Sequence, residues 1–182
     1  LDIFKKKDRT RFLFTVEFFP EEGKYHYDGH RNCGVRFSPK ETIKLKGICP
    51  KCGKHLTIGV MHRVEQLADR EEKFSPPNAI PFKNMVPLEE IIASAKGVGA
   101  ETQQVKQEYL RIVGSLGTEF AILFELTEDE LYKNISPQIV EGILRVRKGM
   151  LNILPGYDGE YGKVEIFGKD EIDKKEKQFT LF

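Results

Sequence analysis

"GHRNCGVRFSPKETIKLKGICPKCGK", residues 29–54, contains all three cysteines of a 182-residue chain. Three cannot close a disulfide framework, and neither a secretory signal nor a run of about eighteen apolar residues argues for export or membrane insertion, so the chain reads as soluble and cytoplasmic. In a reducing compartment, cysteines at knuckle spacing are metal ligands or catalysts more often than bridges. The fourth ligand is available at His30. His30-x2-Cys33, fifteen residues, then Cys49-x2-Cys52 has the two-knuckle spacing of a structural zinc site with histidine in place of the first cysteine. Gly34 and Gly53 follow the knuckles, where the backbone must turn towards the sulfur. Four protein ligands leave a tetrahedral ion no open position, so the expected cofactor is structural Zn2+. Two alternatives stand beside this set. His26 is a substitute ligand for His30, and Cys49-x2-Cys52 alone is a redox-pair spacing, although no βαβ pattern surrounds it. His55 and His62 lie outside the knuckle spacing and read as a loop residue and a hydrogen-bonded helix residue.

The net charge of +1 conceals a segregation of charge. Between Gly29 and Arg63 eight Lys or Arg oppose a single acid, Glu41, giving +7, whereas Val64 to Tyr132 carries six basic and thirteen acidic residues, giving −7. Arg31, Arg36, Lys40, Lys44, Lys46, Lys51 and Lys54 therefore form a candidate phosphate-binding surface. A solvated basic face, or one that docks on the acidic segment, is the plainer alternative.

Outward from the knuckles, "RFLFTVEFFP" (residues 11–20) reads as a strand ending at proline. "LKGICPKCGKHLTIGV" reads as strand, knuckle and strand, and "VMHRVEQLADREE" as an exit helix with Val60, Val64, Leu67 and Ala68 on one face. Four prolines between Phe74 and Pro87 mark the domain boundary. Helical patterns follow: "PLEEIIASA", then "TQQVKQEYLRIVGSLG" with Val105, Tyr109, Ile112, Val113 and Leu116 on one face, then "TEDEL" and "SPQIVEGILRVRKG". Thr127 and Glu130 have capping-box spacing. "KGVGAETQQV" partly matches a helix–hairpin–helix turn, but Val105 is one place from the apolar position, and an ordinary helix–helix turn is the simpler reading. "LNILPGYDGEYGKVEIF" reads as a hairpin and "GKDEIDKKEK" as a charged, flexible tether. The expected fold is α+β: residues 1–73 an N-terminal strand, zinc ribbon and exit helix; 74–87 a linker; 88–167 a mainly α-helical domain with a C-terminal β-hairpin; 168–182 a tail.

Taken together, "FTVEFFPEEGKYHYDGHRNCGV", "GICPKCGK", "GVMHRVEQLADRE", "PLEEIIA" and "PGYDGEYGKVEIF" resemble the region after the PHP domain in endonuclease Q proteins, which often carry a helicase-like label. The resemblance runs from about Phe14 to Phe167. It implies a zinc-binding domain and a helical domain from an enzyme that nicks DNA on the 5′ side of deaminated bases (uracil, hypoxanthine) or abasic sites, and it implies a nucleoid-associated protein. The PHP domain, which would hold the divalent metals for cleavage, is missing from this chain, and four histidines cannot rebuild it. No G-x-x-x-x-G-K-[ST] phosphate loop supports helicase or ATPase activity. The chain starts at Leu1 and reads as cut from something longer. The expected role is thus to hold DNA without cutting it. The alternative from another class is a free-standing zinc-ribbon adaptor that binds a protein partner. Finally, "QFTLF" resembles the peptides that dock on a sliding clamp, in the bacterial form or as the first half of the form read by archaeal PCNA. Gln178, Leu181 and Phe182 are the candidate contacts.

Overall fold

The computed structural model describes residues 2–71, 74–168 and 171. They divide into two units, the first built from Leu1–Lys83 and Ile153–Val164, the second from Asn84–Asn152 and Glu165–Phe182. Helices and small sheets coexist, so the α+β class holds.

In the first unit, α1 (Asp2–Lys6) precedes β1 (Thr15–Glu17), much shorter than the 11–20 strand expected because Pro20 opens a 3₁₀ turn over Pro20–Glu22. β2 (Asp28–His30) and β3 (Val35–Phe37) form an antiparallel pair with Asp28 opposite Phe37, Gly29 opposite Arg36 and His30 opposite Val35. Between the knuckles the chain makes a helix that the sequence pattern did not suggest, α2 (Pro39–Lys44). Its start is fully specified locally: Ser38 Oγ accepts from the Glu41 N–H, the Glu41 carboxylate accepts from the Ser38 N–H, and Pro39 takes the first turn, where no N–H is needed. The expected strand–knuckle–strand hairpin reduces to one antiparallel bridge, Ile48 to His55.

α3 (Val60–Leu67) is present as expected, but among the described residues its apolar face is open: Val60, Val64 and Leu67 are 63%, 47% and 65% exposed. Within the 74–87 segment β4 (Phe82–Asn84) pairs with β1, so this stretch is not purely a linker. β5 (Asn152–Leu154) and β6 (Lys163–Glu165) pair as expected, but the loop they carry belongs to the first unit and not to the helical domain. Tyr27 N–H donates to the Gly156 carbonyl at 2.9 Å, Gly156 N–H to Glu21 at 2.7 Å, and Gly162 N–H to Glu22 at 3.0 Å. Gly156 and Gly162 are required by this closeness, since a methyl at either would overlap backbone oxygens of Gly23 or Glu21.

The second unit consists of α4 (Leu88–Lys96), α5 (Gln103–Leu116), α6 (Glu119–Phe124), α7 (Glu128–Asn134) and α8 (Pro137–Lys148). α8 contributes Ile139, Val140, Ile143 and Leu144 to the core, beside Leu88, Ile91 and Ile92 of α4. Each fully buried aliphatic side chain is worth about 1.5–3 kcal/mol, so this core can carry a domain. Gly142 lets the two helices approach, because a β-carbon there would sit 2.8 Å from Ile91 Cγ2. Thr127 and Glu130 form the capping box that starts α7. At the other polarity, the half-buried Arg147 guanidinium donates to the carbonyls of Ile122, Leu123 and Leu126, satisfying acceptors at the end of α6 that its own helix leaves unpaired. The "KGVG" stretch is a helix–helix turn: Gly97 ends α4 in the left-handed conformation, and Thr102 Oγ1 donates to Gly99.

Candidate metal centre and nucleic-acid interface

His30 ends β2 and begins a 3₁₀ turn over Arg31–Cys33, which Gly34 terminates at φ 60°. The second knuckle turns at Gly53, φ 73°, where the Gly53 N–H donates to the Cys49 carbonyl at 2.9 Å. Both glycines occupy the left-handed region that a β-carbon disfavours. These turns bring one ligand atom from each of His30, Cys33, Cys49 and Cys52 within 4.8 Å of one another, and His30 Nδ1 lies 3.3 Å from Cys52 Sγ. A zinc ion with bonds of about 2.0–2.3 Å needs ligand separations of roughly 3.5–3.8 Å, so small side-chain rotations suffice to close a tetrahedron. His26 is buried, stacked on Tyr27, and does not join the cluster.

The electrostatics of the cluster call for a cation. The Cys33 thiol is pushed up to about 11, chiefly by its hydrogen bond with Cys52, then by burial and by Cys49. Burial also pushes Cys49 up, but the backbone N–H groups of Lys51 and Cys52, with His30, outweigh it and bring that thiol down to about 6. Amides aimed at a sulfur favour the thiolate, yet three thiolates repel. A dication removes the conflict by ionising all three. The donor set, three sulfurs and one imidazole, suits zinc.

Behind the ligands, Asp28 is fully buried. Its Oδ1 accepts from the Gly59 N–H at 2.7 Å and its Oδ2 lies 2.7 Å from His62 Nδ1, which ties β2 to the start of α3. His62 is thus the hydrogen-bonded helix residue expected. From the returning loop, Asp158 accepts from the Arg31 N–H at 2.6 Å. Burial pushes the Asp158 carboxyl up, but the Thr57 hydroxyl, the Arg31 N–H and the nearby positive charge hold it below its ordinary range.

The seven candidate phosphate contacts have different surroundings. Lys44, Lys46 and Lys54 are exposed. Lys40 pairs loosely with Glu65 at 3.9 Å, and Lys51 Nζ donates to the Cys33 carbonyl at 2.8 Å, bracing a knuckle. Arg36 donates to the Pro155 carbonyl at 2.8 Å, and its guanidinium lies 5.8 Å from the Tyr157 ring centroid. Arg31 and Arg36 line a cleft of about 290 Å³ together with Tyr157, Glu160, Tyr161 and Lys163. Sequence reasoning does not find the last four as site residues; each is more than a hundred residues from the knuckles, and only the paired tyrosines of "GYDGEYGK" signal them. Gln178, Leu181 and Phe182, and most of the charged tether, lie outside the described residues.

A solved structure of a lesion-specific endonuclease from Pyrococcus furiosus, PfuEndoQ, superposes on 87% of this chain with a TM-score of 0.71 and 30% sequence identity. The chain is similar to endonuclease Q in sequence and in fold. A second endonuclease Q structure, a complex with a 27-mer duplex carrying an abasic lesion at the active site, matches 85% of the chain with a TM-score of 0.68 and 30% identity. The chain spans 40% and 38% of those two chains. Residues 87–150 match the family model of the MJ0043 C-terminal domain. Protein MJ0043 of Methanocaldococcus jannaschii is 35% identical over 98% of this chain, which spans 22% of that protein; protein YqxK of Bacillus subtilis is 28% identical over 88%, covering 38% of its length. Among the described residues no helix is long and apolar enough to cross a membrane.

Proposed function

We propose that this chain is the zinc-binding, DNA-holding part of an endonuclease Q-like repair nuclease. The observation that carries this reading is the likeness of 87% of the chain, at 30% identity, to a lesion-specific endonuclease. In this role Zn2+ is held by His30, Cys33, Cys49 and Cys52 and pins the ribbon, while the basic residues from Arg31 to Lys54 hold DNA near a deaminated or abasic site. Four protein ligands saturate a tetrahedral zinc and leave no place for a water nucleophile, so incision belongs to a separate PHP-type metal centre.

The test is a titration of the zinc-loaded chain with a short duplex. With about four phosphates neutralised, log K falls against log salt with a slope of roughly −3.6, a loss of about 150-fold between 50 and 200 mM salt. Reversing Lys40, Lys44, Lys46 and Lys54 to glutamate, which spares the structurally engaged Arg36 and Lys51, is expected to abolish that dependence and leave the duplex uncut throughout. Affinity indifferent to salt, or retained by the reversed protein, would remove the DNA-holding role. It would favour instead the adaptor reading, which has its own support in the exposed apolar face of α3.

Sliding-clamp docking through Gln178, Leu181 and Phe182 is proposed from the sequence of the tail alone. Titration against bacterial and archaeal clamps is expected to show binding by the intact chain and none by a chain ending at Lys177. Equal binding by both, or by neither, would discard the idea.

A further inference from the structure

Buried structural cysteines are inert, and oxidation selects those that solvent reaches. The three sulfurs of the metal cluster differ in this respect. Cys49 is 1% exposed, and its sulfur takes hydrogen bonds from the Lys51 and Cys52 N–H groups. Cys33 is half-buried. Cys52 is exposed, its sulfur hydrogen-bonded with Cys33 and Cys49 and 3.3 Å from His30 Nδ1. An oxidant arriving from solvent therefore meets Cys52 first, with a second sulfur already beside it. The two neighbours are held there differently. Cys33 comes from the other knuckle. Cys49 and Cys52 share one turn, closed by the Gly53 N–H to the Cys49 carbonyl at 2.9 Å and by the Cys49 N–H to the Lys54 carbonyl at 2.7 Å. Neither bond needs a metal, so this pair stays together when the ligand set loosens.

We infer that Cys52 is an oxidation site for hydrogen peroxide, and that its oxidation closes a Cys49–Cys52 disulfide and opens the metal clasp. The inference rests on the zinc reading and adds a chemical lability to it. The Cys52 thiolate attacks one peroxide oxygen, the O–O bond breaks and hydroxide leaves, giving a sulfenic acid. The Cys49 thiolate then attacks the Cys52 sulfur, the S–O bond breaks and a second hydroxide leaves. Two thiolates have given up two electrons, which the peroxide has taken. His30 and Cys33 remain as donors, and two ligands do not hold structural zinc where four closed a tetrahedron. The segment between the knuckles carries Arg36, Lys40, Lys44 and Lys46, so opening the clasp unpins the basic stretch at both ends.

The experiment treats the zinc-loaded chain with dilute hydrogen peroxide, reads free zinc with a coloured chelator and maps cysteine linkages by mass spectrometry. About one equivalent of zinc is expected in solution, in step with a Cys49–Cys52 bond and a mass about 2 Da below that of the reduced chain. Dithiothreitol with added zinc restores the loaded form. Cys52→His keeps a fourth donor but removes the exposed thiol, and is expected to slow zinc release by about tenfold or more. Linkage mapping of the unaltered chain decides the matter if that variant does not load zinc. A Cys33–Cys52 bond, a sulfinic acid at Cys52 without a disulfide, or zinc retained while peroxide oxidises free glutathione in the same solution overturns the inference and leaves the zinc reading standing. A chain that carries no zinc before peroxide is added overturns both.

Discussion

Cys49→Ser is expected to melt the first unit at temperatures where the second stays folded. Among the described residues, the buried apolar side chains of the first unit are Pro39, Cys49 and Leu56, and the rest, from Val86 to Phe167, belong to the second. A unit with so little core must obtain its stability elsewhere. Ligation of structural zinc supplies about 10 kcal/mol or more, comparable with the whole stability of an ordinary domain. The parent chain should carry close to one equivalent of zinc. Calorimetry should resolve two transitions, with chelator or Cys49→Ser removing one and sparing the helical one. Less than half an equivalent of metal after careful purification, or unchanged melting in Cys49→Ser, would sink the assignment. Full metal retention by His30→Ala would transfer the fourth position to another residue, with His26 tested first.

The second large effect is expected at Asp28. Its carboxylate is wholly buried and takes two hydrogen bonds at 2.7 Å, one from the amide that opens α3 and one with His62. Asp28→Ala leaves both partners without the acceptor that the buried carboxylate supplies, at a cost of about 3 kcal/mol or more in the zinc-loaded protein. Because Asp28 is two residues before His30 on the same strand, the loss should also loosen the metal. Zinc affinity and urea stability should therefore fall together, and Asp28→Asn, which keeps one acceptor, should lie between. A change below about 0.5 kcal/mol in the urea midpoint energy would show that this pair is dispensable.

The parts legible in the sequence were those whose cause is local. Two knuckle spacings separated by fifteen residues were enough to assemble four ligands that the fold brings within 4.8 Å. The Thr127–Glu130 capping box and the helical periodicity from Leu88 onward likewise depend on neighbours three or four residues apart. α2 was equally local, since "SPKE" carries the same capping signal as "TEDE", but six residues between two knuckles show too little apolar periodicity to suggest a helix. Burial was not legible. α3 has a helical apolar stripe, yet among the described residues of its own unit little covers Val60, Val64 or Leu67, because a period of 3.6 records which residues share a face and not whether that face meets anything. Least legible was the return of residues 153–164, for which the decisive partners, Glu21, Glu22, Tyr27 and Arg31, lie more than a hundred positions earlier.

That return has a temporal meaning. All four candidate metal ligands and the whole of Leu1–Lys83 are synthesised before the first residue of α4, but the loop that completes the same unit is about seventy residues further on. At roughly 5–20 residues per second the gap is several seconds, long compared with the microseconds in which helices form. Metal capture has time to finish first. The hydrogen bonds of Gly156, Asp158 and Gly162 with the first part of this unit can form only after that interval, so the cleft they complete appears only once residues 153–164 have been made.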